Sequence, residues 1–284
     1  MDKIFVPTSN FGKLREFEHA LSAQNKGCFG IEAARSVAGN SFDWKTPDED
    51  RETFLGNNCR KLMEALRVLP TLRSVGVKSA LVDDSGLCVP RLNFAPGVHS
   101  ASFAGLPRDD AKNRQYLIEK LKSALGLSPN EKEPAFFVCS LLMASRSSDD
   151  EAGQEKSALE STALLSHLES IEPKIMSMVV QRLSEVCSAA YAHDMHIVAW
   201  DVKYRVRLVM GICTGKVALY EQQRLEGEGH GYDAMFFPNA MPDFSFASIP
   251  LIEKNKMSHR SEALRGLSAM ETPHTAQDEI LELF

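Results

Sequence analysis

Leu81-Val82-Asp83-Asp84-Ser85-Gly86 is the stretch on which the fold turns. An apolar run there ends in two adjacent carboxylates, a hydroxyl and a glycine. A buried strand that ends this way places negative charge at the rim of a sheet, where open α/β proteins bind ligands. Neighbouring carboxylates repel one another unless a positive group sits beside them. Mg²⁺, a hard cation that takes oxygen ligands, meets that need. A solvated Asp-Asp turn or a helix cap is the plain alternative, since Asp and Ser are common turn residues.

Outward from this stretch, strand and helix patterns mix. Lys3 to Thr8 reads as a short strand, Ser9 to Lys13 as a turn, and Leu14, Phe17 and Leu21 recur at helical spacing. Thr53 to Leu69 reads as a helix with Pro70 just past its end. Asp109 or Asp110 caps another helix through Leu125, ended by Gly126. Ala135 to Ala144 is an apolar strand. Tyr204 to Cys213, a Thr214-Gly215 turn and Lys216 to Leu225 read as a β-hairpin, Tyr232 to Phe237 as a further strand, and Ser258 to Met270 as a late helix. The expectation is α/β, with a mixed sheet and flanking helices. Residues 147 to 200 read as a helical insertion. Leu159, Leu164, Leu165 and Leu168 suggest one helix, and Pro173 opens a second with Ile175, Met178, Val179, Leu183 and Val186 on one face. Residues 271–284 form a C-terminal tail, frayed or a short helix.

Bulk properties narrow the partners. The 284 residues are 44% hydrophobic and 25% charged, as in soluble globular proteins. A net charge of −6 argues against a general nucleic-acid binder. No apolar run has membrane-spanning length, and Met1 to Val6 lacks the pattern of a secretory leader. Cys28, Cys59, Cys88, Cys139, Cys187 and Cys213 are widely spread with no C-x-x-C pair, which suits reduced thiols in a cytoplasmic protein.

Four further segments carry chemistry. In Thr8-Ser9-Asn10-Phe11-Gly12-Lys13 a strand gives way to a helix, and backbone N–H groups with Lys13 would make an anion site. Asp48-Glu49-Asp50 offers a further carboxylate to a metal, or is a solvated charge run at a helix start. In Gly227 to Asp233, alternating glycines admit close backbone approach. His230 and Tyr232 there offer flat faces for a base, and Asp233 an acceptor for a ring N–H. In Glu253 to Arg260, Ser258 is an N-cap that puts His259 and Arg260 in the first helical turn. A positive Arg there opposes the helix dipole and calls for an anion or acceptor nearby. Gly211 to Val217 fails the P-loop pattern, and His193, Asp194 and His196 fit no strong metal template.

Six pieces in fixed order go further: T-S-N-F-G-K at 8–13, T-F-L-G-N-N at 53–58, D-D-S-G-L at 83–87, A-P-G-V-H-S-A at 95–101, G-Y-D-A-M-F-F at 231–237 and E-K-N-K-M-S-H-R-S-E-A-L at 253–264. On these the chain resembles the inosine triphosphate pyrophosphatase family. The resemblance implies an elongated fold of two lobes around a central cleft, residues 1–270, usually as a homodimer. It implies hydrolysis of ITP, dITP or XTP between the α and β phosphates, with Mg²⁺ as cofactor. Asp84 would be the catalytic carboxylate and a metal ligand. Asp48 or Glu49 would be the second acidic ligand, and Asp83 a ligand through water or a support. Thr8, Ser9, Asn10, Phe11, Gly12 and Lys13 would hold phosphates with Ser85 and Lys254, and Asn57 would join the substrate site. His230, Gly231, Tyr232 and Asp233, with His259 and Arg260, would hold the base. His230 stands where the family usually has Phe, Gly56 where many members have Glu, and Ser102 where Arg often follows Ser-Ala. A catalytically silent nucleotide-binding or sensing protein, with the insertion as a partner surface, is the alternative reading.

Overall fold

In the computed structural model the described residues are 2–147, 159–181, 183, 188–199, 202–220, 231–270 and 281–283. They form β1 (Asp2–Phe5), α1 (Phe11–Ala23), β2 (Lys26–Phe29), α2 (Ile31–Ala38), α3 (Phe54–Val68), β3 (Val77–Cys88), α4 (Asp110–Leu125) and β4 (Lys132–Arg146). There follow β5 (Leu159–Glu160), α5 (Ser161–Gln181), β6 (Ser188–Ala199), β7 (Val202–Ala218), β8 (Phe236–Pro238), α6 (Leu251–Lys254), α7 (His259–Ala269) and β9 (Leu281–Leu283). None of the described helices is long and apolar enough to cross a membrane.

Local chemistry sets the helix ends. Asn10, Thr53, Asp109 and Ser258 each cap a helix by accepting backbone N–H bonds from its first turn. Gly126 closes α4 in the left-handed conformation, at φ +66°.

The sheet runs in the order β2-β1-β3-β4-β7-β6-β5, with β8 added to β7 and β9 to β6. β1 pairs in parallel with both β2 and β3, while β4, β7 and β6 are antiparallel to their predecessors in the order. The chain leaves β1 toward β2 on one side and returns to β3 on the other. That reversal is a topological switch point, where open sheets form a crevice beyond the strand ends. Thr8 to Lys13 sits there. β1 stops pairing with β3 at Phe5–Ala80, yet β3 continues against β4 to Cys88. The edge of β3 from Leu81 to Ser85 therefore borders the crevice, and beyond it the 96–100 segment covers Gly86 to Cys88.

Four expectations are corrected. Asp83 and Asp84 do not end a strand but lie within β3, so successive side chains go to opposite faces. Leu81 belongs to the core under α1 and α7, and Ala80 and Val82 to the core under α3 and α5. Thr214-Gly215 is not a turn, because β7 runs straight through it. Gly215 serves the close approach of β8, since a Cβ there would strike the Phe237 carbonyl oxygen. The 147–200 stretch is not wholly helical. Residues 188–199 are strand β6, and a single helix, α5, passes through Pro173. A mid-helix proline costs about 3 kcal/mol. Leu164, Leu168, Ile171, Ile175 and Val179 form one unbroken buried stripe across it, each worth roughly 1.5–3 kcal/mol, so burial wins. In the expected tail, Leu281–Leu283 pair with β6 as a strand. The rest of that tail lies outside the described residues.

Candidate active site

The alternation along β3 splits the acidic pair between two sets of partners. Asp83, 7% exposed, faces α1 and α7. It takes an ion pair from Lys13 Nζ at 2.6 Å, and Arg260 Nη2 lies 4.0 Å away. Burial pushes its carboxyl up, but Lys13, Arg260 and Lys61 outweigh that and hold it below the usual carboxylate value. Ser85, two residues on and on the same face, accepts from Arg260 Nη2 at 3.2 Å. Arg260 also pairs with Glu16 on α1. These contacts answer the conflict noted in the sequence: the cation in the first turn of α7 is placed there to meet carboxylates of α1 and β3. Arg260 Nε is buried with no hydrogen-bond partner among the described residues.

Asp84, 8% exposed, faces α3. Asn57 Nδ2 donates to its Oδ2 at 3.2 Å, and Lys61 Nζ lies 3.2 Å from its Oδ1. The same ammonium donates to the Asp83 carbonyl oxygen at 3.0 Å and pairs with Glu49 Oε1 at 2.7 Å. Burial would strip the proton from Lys61, but Asp84, Glu49 and Asp83 reverse the sign and hold it firmly charged. For Asp84 burial dominates in the other direction. With Glu49 and Asp83 adding negative field, its carboxyl is raised despite Lys61 and Lys13. The helix itself is anchored by Asn58, which donates to the Ser140 carbonyl at 2.8 Å and to Ser140 Oγ at 2.6 Å.

A second group gathers on aromatic rings. His259 stacks on Phe137 with centroids 4.8 Å apart, and Phe137 also meets Phe236 and Phe246. Lys254 pairs with Asp233 at 2.7 Å and lies over Phe246. Tyr232 donates its hydroxyl proton to the Ser100 carbonyl at 3.0 Å. Gly231 is held by Asp110 and Arg114 through its N–H and C=O. Adjacent residues His259 and Arg260 thus join the aromatic group to the acidic one. His230 lies outside the described residues.

Thr8 to Lys13 forms the turn into α1, capped by Asn10. Thr8 Oγ1 accepts from Asn10 N at 3.2 Å, and Asn10 Oδ1 accepts from Lys13 N at 3.1 Å. Ser9 and Gly12 complete the turn, and Phe11 projects outward at 80% exposure. Of the two acidic alternatives, both solvent-exposed, Glu49 is the one brought to Lys61 and to Arg108, each at 2.7 Å. Among the described residues no group of three or more His, Cys, Asp or Glu side chains forms a ready metal cage. Glu49 and Asp84 are hard oxygen donors touched by one ammonium, so a single cation of similar reach suits both.

Sequence reading missed Lys61, Glu16 and Glu172. Lys61 had a usable signal, since Asn57 and Lys61 are four apart on a helix and share its face. Glu16 lies three residues past Lys13 on α1 by the same logic. Glu172 had none, because its partners are more than a hundred residues away.

Fold and site together define an α/β protein with an acid–base crevice at a sheet switch point. The Ham1 family model matches residues 4–162 and 163–270, and the chain belongs to that family. A dITP/XTP pyrophosphatase of Gluconobacter oxydans is 29% identical over 262 residues, covering 92% of this chain and 87% of that protein. Another, from Listeria monocytogenes, is 29% identical over 270 residues, covering 94% and 93%. A Ham1 protein from Coxiella burnetii shares the fold with a TM-score of 0.60 at 22% identity, covering 96% of this chain and 100% of that one. A Staphylococcus aureus Ham1 protein does so with a TM-score of 0.57 at 22% identity, covering 95% and 97%.

Proposed function

We propose that this chain hydrolyses non-standard purine nucleoside triphosphates, dITP, ITP and XTP, to the monophosphate and pyrophosphate. The observation that carries the reading is Asp84. It is a buried carboxylate with a raised proton affinity, held by Asn57 and Lys61 on the rim that Lys13, Arg260 and the start of α1 make basic. Relatives that align over nearly the whole chain are dITP/XTP pyrophosphatases.

A triphosphate carries about four negative charges, which the rim must neutralise. Lys13 and the N–H groups of the α1 first turn bind phosphate oxygens, with Asp83 keeping Lys13 aimed. Ser85 and Arg260 Nε add donors. Asp84 orients the attacking water and accepts its proton, which its raised affinity favours. Glu49 and Asp84 would hold Mg²⁺, which when bound would supply charge neutralisation and polarisation at phosphorus. At the other end Tyr232, Asp233 and His259 form the base subsite, to which His230 contributes. Lys254, expected at the phosphates, joins it through Asp233, while Arg260, expected at the base, lies with Asp83 and Ser85. Hypoxanthine and xanthine present a 6-oxo acceptor where adenine presents a 6-amino donor, so donors placed here discriminate through the cost of unpaired buried polar groups. The reading includes a cytoplasmic homodimer, for which sedimentation gives the mass.

The deciding assay presents a panel of nucleoside triphosphates with Mg²⁺ and separates pyrophosphate from orthophosphate. Pyrophosphate from dITP, ITP and XTP is expected. Orthophosphate alone overturns the reading, and tight binding without product favours the silent alternative. A chelator is expected to abolish turnover and added Mg²⁺ to restore it. The second metal ligand is tested in the same assay. Glu49→Gln is expected to lose roughly a hundredfold in rate, as removal of a preorganised electrostatic group does. Asp48→Asn is expected to stay within about twofold, as an exposed substitution. The reverse ranking would transfer the role to Asp48.

A further inference from the structure

Helix α3 carries two of the side chains on Asp84, yet its first turn contains no acidic residue. The positive end of its dipole is met instead from α5. Glu172, 4% exposed, accepts the Phe54 N–H at 3.1 Å on one oxygen and the Leu55 N–H at 2.7 Å on the other. Residue 56, in the same turn, is glycine and leaves room for the Glu169 side chain of α5. A Cβ there would meet Thr53 Oγ1 at 2.7 Å and Glu169 Oε1 at 2.9 Å. Glu172 also lines a cavity of about 650 Å³, walled by Phe54, Cys88, Phe94, Pro96, Met176 and Val180, which offers protons a route to it.

We propose that Glu172 is a positioning residue, whose carboxylate holds the first turn of α3 and so sets Asn57 and Lys61 against Asp84. The proposal rests on the pyrophosphatase reading above. It does not concern contact with substrate.

The groups facing Glu172 are Glu169 on its own helix, Asp84 and Cys88 on β3, Glu52 ahead of α3, and His99 across the cavity. Burial raises the Glu172 carboxyl from 4.5 to about 7, with Asp84 and Glu169 adding to the rise and the Leu55 and Phe54 N–H groups opposing it. The folded value lies above the unfolded one. Folding therefore binds a proton between about 4.5 and about 7, and this group's contribution to stability falls as pH rises through that window. Positioning runs the other way. Protonation removes the charge that strengthens both N–H bonds and puts a hydrogen on one of the two accepting oxygens, so the clamp is strongest above about 7. Activity is expected to rise through that pH while stability falls, whereas a purely structural role would move both together.

The test compares the wild-type protein with Glu172→Gln and Glu172→Asp. Pyrophosphate release from ITP is measured as kcat and KM from about pH 5.5 to about pH 9, alongside thermal melts. Glu172→Gln is expected to lower kcat about tenfold with KM changed less than about twofold, and to lose the rise near neutral pH. Amide exchange at Phe54 and Leu55 is expected to quicken in that variant. Glu172→Asp keeps the charge and is expected to restore the pH dependence at a lower plateau. A Glu172→Gln enzyme with wild-type kcat and pH profile overturns the proposal, and so does activity that tracks melting temperature in every variant. If Glu172→Gln does not fold, Glu172→Asp and the opposed trends of the wild type carry the test. A wild-type protein that releases no pyrophosphate removes the functional reading and the proposal together. An active wild type with an unaltered Glu172→Gln removes the proposal alone.

Discussion

Asp84→Asn is expected to lower pyrophosphate release from dITP or ITP by at least a hundredfold and to leave the fold intact. Asparagine keeps the shape of the side chain and removes its charge and basicity. Losing one preorganised electrostatic group typically costs about 3 kcal/mol of transition-state stabilisation, which is that factor. The fold survives because Lys61 keeps Glu49 at 2.7 Å and the Asp83 carbonyl at 3.0 Å. The penalty of burying an ionised carboxylate at 84 disappears with the charge. Direction with pH follows from the same source. Burial raises the Asp84 carboxyl, so its ionised form is lost at a higher pH than for an ordinary aspartate. Wild-type turnover is expected to fall on the acid side, and the residual rate of Asp84→Asn to lose the part of that limb owed to Asp84 while keeping the rise owed to Glu172. Product assays and melts on one preparation check both halves. Substantial turnover in a well-folded Asp84→Asn protein would sink the assignment of Asp84.

Gly211→Ala is expected to cost about 3 kcal/mol, the upper end of ordinary overpacking. A Cβ at 211, in the middle of β7, would fall on the carbonyl oxygen of His259 and the backbone nitrogen of Ala263, both in α7. Backbone cannot swing aside as a side chain can, so the whole helix must lift. For a domain of this size such a loss lowers the melting temperature by roughly 5 °C. α7 carries His259 and Arg260, so the substitution also draws the guanidinium from Asp83 and Ser85, and activity is expected to fall with stability. Gly27→Ala is the control. A Cβ there meets the Lys3 Cγ at an ordinary 3.5 Å, and a change within about 1 kcal/mol is expected. Equal melting temperatures for the two variants would show that α7 is not pressed against β7.

Glycines 211 and 215 also show where sequence reading falls short. Placed on either side of Thr214, they look like turn residues, and a hairpin follows naturally. Both are instead sites where another segment's backbone approaches a long strand. Pro173 misleads in the same way. Its local preference is to begin a helix, yet the apolar stripe runs through it in unbroken phase, and burial against α3 decides. In each case a local signal of one to three kcal/mol met a tertiary contact worth more.

What the sequence determined by itself was local. The caps at Asp109 and Ser258, the helices behind them, the mixed α/β class and the ordered pieces that mark the family were legible. Each depends on residues within a turn or two of one another. Only the tertiary structure decided how those pieces combine. That β3 runs on through Asp83-Asp84 sends the two carboxylates to opposite faces, one to Lys13 and Arg260, the other to Lys61 and Asn57. Glu49 joins the site and Glu172 clamps α3 only because the fold carries them there. The physical reason is range. Capping and periodicity act over a few residues, whereas an ion pair or a buried clamp is indifferent to separation along the chain.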